Sequence, residues 1–198
     1  TKYSFAKYFE YGYVFDYKEL KNLKINTPAQ YSIVDASIAL SAIDIISSQF
    51  PISVDSIKNG LNNMKISGRM EIVRDSPLII IDGAHNPEAI RNLIEEATNI
   101  KKGEIHTVFA CFTDKNINIM LPEINILGND LILTTFDHPR ARTEEDYYLY
   151  LEEYKYHSNH VDLIKNLIAT YPDDTILICG SLAFAYLIVD EFKKGIYD

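Results

Sequence analysis

The sequence predicts an α/β chain in two parts. A mostly parallel, doubly wound sheet with helices on both faces occupies residues 67–198, after a strand-and-helix segment over residues 1–66. Three observations predict it. After Gly68, short aliphatic runs alternate four times with apolar residues at helical spacing, the pattern of βαβ units. Residues 3–17 instead repeat tyrosine and phenylalanine at a spacing of two, the period of a strand. Polar clusters follow the aliphatic runs, where open α/β sheets hold their ligands.

The first part begins with Tyr3, Phe5, Tyr8, Phe9, Tyr11, Tyr13, Phe15 and Tyr17, read as a strand or hairpin that Leu23-Lys24-Ile25 continues. An aromatic platform for a ligand is the alternative. From Ser32 the period becomes helical, with Ala36, Ala39, Leu40, Ile43 and Ile46 assigned to one face and Pro51 closing the segment. Ser53 caps a second helix along which Val54, Ile57, Leu61 and Met64 recur. The boundary between the parts is expected near residues 66–69.

In the second part, Leu78–Ile81 predicts a strand, and Ile90, Leu93, Ile94 and Ala97 predict a helix over 87–99. A strand at His106–Phe112, a short helix near 116–121 and a strand at Leu131–Thr135 follow. Residues 143–170 read as a longer helical region broken near Ser158-Asn159, before a strand at Thr175–Cys179 and a closing helix over 182–193.

Composition excludes some classes of function. The 198 residues carry a net charge of −9 without a basic tract, which argues against a nucleic-acid surface. No apolar run approaches the ~20 residues that span a bilayer, so no membrane partner is expected. Cys111 and Cys179 stand alone inside apolar runs, as reduced core residues of a cytoplasmic protein do. The chain starts at Thr1 rather than methionine, so a piece of a longer protein is expected. None of the eight glycines precedes a lysine and no G-x-G-x-x-G occurs, so neither a phosphate loop nor a dinucleotide fingerprint is present.

Four polar clusters mark strand ends: Asp82-Gly83-Ala84-His85-Asn86-Pro87, Thr113-Asp114-Lys115, Asp137-His138-Pro139-Arg140 and Gly180-Ser181. Asn86 and Pro87 suit a helix start, whereas no cap or turn requires Asp82 or His85. An aspartate there suits a ribose, and a histidine beside a positive helix end suits a carboxylate or phosphate, although Glu88 weakens that field. Ser181 reads equally as a helix cap or as part of a carboxylate cradle. Arg140 and Arg142 are free to fork onto an anion, or are simply solvated. His157, His160 and Asp162 read as a solvated helix end rather than a metal site.

In order, S-G-R-M-E-I-V (67–73), L-I-I-I-D-G-A-H-N-P (78–87), T-D-K-N (113–116), P-R-A (139–141) and I-C-G-S-L (178–182) resemble the folylpolyglutamate synthase/dihydrofolate synthase family of Mur-type ligases. P-A-Q-Y-S-I-V-D-A-S-I-A-L (28–40) is similar to that family's helix opening. The resemblance implies a Rossmann-like Mur-ligase C-terminal domain over 67–198, preceded by the end of a central ATP-binding domain over 1–66. It implies ATP and Mg2+, the metal ligands lying in a missing N-terminal and central portion that is the chain's own partner. It also implies a folate or dihydropteroate carboxylate activated as an acyl phosphate and attacked by L-glutamate. By position, Arg69, Asp82 and Asp35 are matched to ATP, and His85 and Ser181 to glutamate, with Arg69 and His85 as the catalytic candidates. Asp35 stands where the family carries asparagine, and a carboxylate lacks that amide's N–H donors. The rival readings are a stand-alone nucleotide or amino-acid binding module and a Mur-type ligase acting on a cell-wall precursor.

Overall fold

The computed structural model describes residues 3–128 and 130–198. Two compact units divide the chain, Thr1–Ile66 and Ser67–Asp198.

In the first unit the aromatic run forms an antiparallel sheet of β1 (Phe5–Phe9), β2 (Gly12–Tyr17) and β3 (Leu20–Ile25). Its period of two buries Phe15 and Tyr17 from β2 with Leu23 and Ile25 from β3. Against them pack Ile33, Ala36 and Leu40 of α1 (Tyr31–Ile46) and Leu61 of α2 (Val54–Asn62). Ser53 caps α2 by accepting the Ser56 N–H. The face of α1 differs from the sequence expectation, since Ala39 and Ile46 are exposed while Ile33 and Ser37 are buried. A helix with apolar residues on two sides offers little contrast from which to choose the buried one. Polar pairing also favours the observed one: the Tyr17 hydroxyl meets Ser41 Oγ at 2.9 Å, and Lys18 pairs with Asp44.

The second unit is a six-stranded sheet in the order β4-β5-β9-β6-β7-β8. The strands are β4 (Glu71–Asp75), β5 (Leu78–Ile81), β6 (Ile105–Phe109), β7 (Asp130–Thr134), β8 (Lys155–His157) and β9 (Thr175–Cys179). All neighbours are parallel except β4, which forms a hairpin with β5. The helices are α3 (Pro87–Ile100), α4 (Ile117–Ile124), α5 (His160–Thr170) and α6 (Leu182–Lys193). The chain steps from β5 through β6 and β7 to β8, then returns to insert β9 between β5 and β6. Right-handed crossovers therefore put α3 and α4 on one face and α5 on the other. Ile164, Leu167, Phe184 and Ile188 of α5 and α6 accordingly pack on Ile79, Ile81, Val108, Ile176 and Ile178. The sheet is mostly parallel with helices on both faces, as the alternation predicts.

Two elements depart from the sequence reading. Residues 143–158 hold no α-helix: a 3-10 helix spans Glu145–Tyr150, and the short strand β8 follows. Buried Tyr147 and Tyr154, with half-buried Leu151 between them, imitate a helical stripe. Tyr156, at the centre of Lys155–His157, has strand propensity, and the segment pairs with β7. The strand β4 was also missed, because its half-buried sequence EIVRD has no aliphatic run.

At the amino end of the sheet, His106 lies between Asp174, 3.1 Å from Nε2, and Asp130, 3.3 Å from Nδ1, and stacks on Tyr171. The His106 hydrogen bond, aided by the Glu104 N–H, holds the Asp174 carboxyl below its ordinary value. Lys155, then His106, does the same for Asp130. A carboxylate with a lowered folded-state pKa stabilises the fold above its unfolded value and loses that contribution as pH falls through the lowered one. The unfolding free energy should therefore decline as pH drops below about 4. In urea titrations, Asp174→Asn should flatten that decline; an unchanged pH slope would exclude the coupling.

Candidate functional site

The site grows from the end of β5, whose four residues are fully buried. Such a strand must end at the edge of the sheet, and Asp82 is the first residue beyond it. The Asp82 N–H still donates to Ile178 O of β9, and its side chain is buried. A buried carboxylate requires donors. Here Oδ2 accepts the Met70 N–H and Oδ1 accepts the Ala84 N–H, both at 2.8 Å. The sequence reading found no structural use for Asp82; the structure gives it two. Sequence reasoning missed this because the Met70 amide is twelve residues away.

The Asp82 bonds hold the segment 67–70 against β5. Gly83 N–H donates to Gly68 O at 2.7 Å, and Glu71 accepts from the Ser67 hydroxyl and the Gly68 N–H. Gly68 and Met70 both have positive φ, 68° and 44°. For buried Met70 that conformation is strained, and the Asp82 bond to its amide sustains it. Arg69 lies between these two anchored residues, with its own side chain exposed.

His85 is half-buried, and its Nδ1 lies 2.8 Å from Gly83 O. A carbonyl can only accept, so Nδ1 carries the proton and Nε2 is left for a ligand. Asn86 caps α3 by accepting the Ala89 N–H, and Pro87 opens the helix. Just beyond the neighbouring strand β9, Ser181 is buried and caps α6 by accepting the Ala183 N–H. Gly180, with φ 110°, brings its backbone against Ala110 O, and its N–H donates to Ala84 O. The loops after β5 and β9 are thus bonded to each other. Since α3 and α6 leave opposite faces, they border a topological switch point, where open α/β sheets bind ligands.

The structure therefore brings Arg69, Asp82, His85 and Ser181 to one end of β5 and β9. Asp35 belongs to the first unit, at an exposed position of α1. Arg142 is not free: its guanidinium donates to the carbonyls of Thr113, Lys115 and Asp146. Arg140 pairs with Asp114 at 3.0 Å and stacks over Phe112, and this pairing holds the Asp114 carboxyl below its ordinary value. The Cys111 thiol is pushed up to about 11 by burial, so it is no nucleophile at neutral pH.

His157, His160 and Asp162 do not converge. His160 is not a solvated end either, because it meets Glu191, which also accepts from the Tyr197 hydroxyl. Among the described residues no three His, Cys, Asp or Glu side chains form a metal site. The Mg2+ that the family resemblance implies thus has no fitting donor set among them, and both Asp82 oxygens already accept backbone N–H groups.

Two substitutions test the knot. A Cβ at Gly83 would lie 2.6 Å from Leu182 Cδ1 and 3.1 Å from Leu182 Cα, so Gly83→Ala should cost about 1–3 kcal/mol in denaturant titration. Asp82→Asn should cost a similar ~1–3 kcal/mol, because the amide offers one acceptor and turns N–H groups toward the second backbone donor. A neutral Asp82→Asn would mean that the two bonds do not hold the loop.

The chain matches the family model described as "Mur ligase, glutamate ligase domain" over residues 68–182. It is 27% identical over 197 residues to folylpolyglutamate synthase of Lacticaseibacillus casei, covering 96% of this chain and 46% of that protein. It is also 27% identical over 185 residues to a UDP-N-acetylmuramoyl-L-alanyl-D-glutamate–2,6-diaminopimelate ligase of Clostridium acetobutylicum, covering 86% of this chain and 38% of that one. A crystal structure of Mycobacterium tuberculosis folylpolyglutamate synthase complexed with ADP and AMPPCP shares the fold. Its TM-score is 0.80 at 20% identity, over 96% of this chain and 47% of that one. The chain spans less than half the length of these relatives. It belongs to the Mur ligase family, by its glutamate ligase domain.

Proposed function

We propose that this Mur ligase family chain is the C-terminal portion of an ATP-dependent ligase joining L-glutamate to a folate or dihydropteroate carboxylate. The observation that carries the reading is the meeting of Arg69, Asp82, His85 and Ser181 at the β5–β9 switch point. Their motifs follow the order of the folate ligases. In this reading residues 1–66 end a central ATP-binding domain. The phosphate loop and the Mg2+ ligands lie in a further portion of the ligase, and the assembled enzyme is cytoplasmic.

Each residue's task follows from its chemistry. ATP phosphorylates the acceptor carboxylate, the glutamate amine attacks the acyl phosphate carbon, and phosphate leaves from the tetrahedral intermediate. Arg69, exposed between two anchored residues, offers its guanidinium to the developing phosphoryl charge. The Asp82 carboxylate, an acceptor at the end of β5, is assigned to the ATP ribose. His85 Nε2 and the Ser181 hydroxyl, each at the amino end of a helix, hold the incoming glutamate by a carboxylate. Asp35 is assigned an ATP contact as an acceptor only.

The two relatives separate a second reading. The diaminopimelate ligase is as similar as the folate enzyme, so a cell-wall acceptor is the alternative. The chain joined to the coding sequence upstream of it is assayed for ADP release. Release that requires L-glutamate and dihydropteroate or tetrahydrofolate supports the folate reading. Release that requires UDP-N-acetylmuramoyl-L-alanyl-D-glutamate and 2,6-diaminopimelate supports the alternative, and saturable binding without ADP release supports a module without catalysis. In the active ligase, Arg69→Ala should lower kcat/KM for ATP by about a hundredfold or more. An unchanged value would remove Arg69 from the phosphoryl site.

A further inference from the structure

The helix α1 is apolar on both sides. Its inner side, Ile33, Ala36 and Leu40, is buried in the first unit. Its outer side carries Val34, Ile38, Ala39, Ala42, Ile45 and Ile46, with Asp35 as its one charged residue. At about 100° per residue these positions fall in one continuous arc of the helix. Val34 is 48% exposed, Ile38 58%, Ile45 77% and Ile46 45%. Phe50, Ile52 and Val54, just beyond the helix, are exposed as well. A helix that is apolar all round normally lies inside a larger core. Among the described residues the inner core of this unit has eight buried residues, few for a unit of 66 residues to hold its fold unaided.

We propose that the outer face of α1 is the seat of the remaining portion of the ligase. The inference rests on the ligase reading above and names the surface through which the two portions join. The matched relatives are more than twice the length that this chain covers, which supplies a partner of domain size. The nearly uncharged face suits a permanent, core-like interface rather than a transient one. A second copy of this chain suits it less. Two-fold antiparallel pairing centred beside Ile38 would set Asp35 against Ala42 of the other copy, leaving a buried carboxylate without a partner.

The test co-expresses the 198-residue chain with the separately tagged polypeptide encoded in frame directly before Thr1. The expected result is a 1:1 complex in which hydroxyl-radical oxidation of Val34, Ile38 and Ile45 falls severalfold relative to the chain alone. Ile38→Glu and Ile45→Lys should each weaken the complex by about tenfold or more while leaving the melting temperature of the chain alone unchanged. Four results would overturn the proposal: a complex indifferent to both variants, a dimer of the chain alone that Ile38→Glu dissolves, side chains already protected in the chain alone, or no encoded partner. The ligase reading is tested separately by ADP release from the same complex. A complex built through α1 but without glutamate-dependent release would sink that reading and leave the interface standing.

Discussion

One buried carboxylate organises the candidate site. Asp82 leaves β5 as a buried carboxylate, and its oxygens take the amides of Met70 and Ala84. Through Met70 it fixes the segment that carries Arg69; through Ala84 it fixes the turn that carries His85. The Gly180 N–H bonded to Ala84 O adds the loop that carries Ser181. Three side chains of distinct chemistry are thereby held by backbone bonds rather than by one another. In the proposed reading each offers its own polar group to a ligand. Preorganisation of this kind is what a site for a charged transition state requires.

The glycines of the motif follow from the same constraint. Gly83 has Leu182 against it, and Gly180 has the Ala110 carbonyl against it, so neither position has room for a side chain. Asn86 and Pro87 begin α3 and Ser181 begins α6, which aims two helix amino ends at the switch point. The local structure and the proposed chemistry therefore use the same residues. A cap that accepts an N–H through its oxygen still has a hydroxyl proton to donate, as Ser181 does.

Much of this was legible in the sequence, for physical reasons. The aliphatic runs of β5 and β9 and the periodic α3 and α6 have strong local signals, and the polar residues after them marked the site end. The structure and the family match bear out the mostly parallel α/β sheet and the Mur-type resemblance. What stayed hidden was nonlocal or lacked contrast. β4 has no aliphatic run and exists by pairing with β5. The tyrosines of 147–154 imitate a helical stripe. α1 is apolar on two sides, so its buried face is chosen with the help of Tyr17 and Lys18, which pair with Ser41 and Asp44. The structural use of Asp82 depends on an amide that no local rule connects to it, and Arg142 is taken by carbonyls of the Thr113–Lys115 loop and of Asp146.

The clamp can be read directly by native-state hydrogen exchange at the Met70 amide. Lying in a loop, that amide would exchange quickly unless the Asp82 carboxylate holds it. The account predicts that Met70 opens only with the surrounding sheet, at a free energy close to that of Ile80, and that Asp82→Asn frees Met70 while Ile80 stays protected. A Met70 amide that exchanges in the wild-type chain as fast as an exposed loop would contradict it.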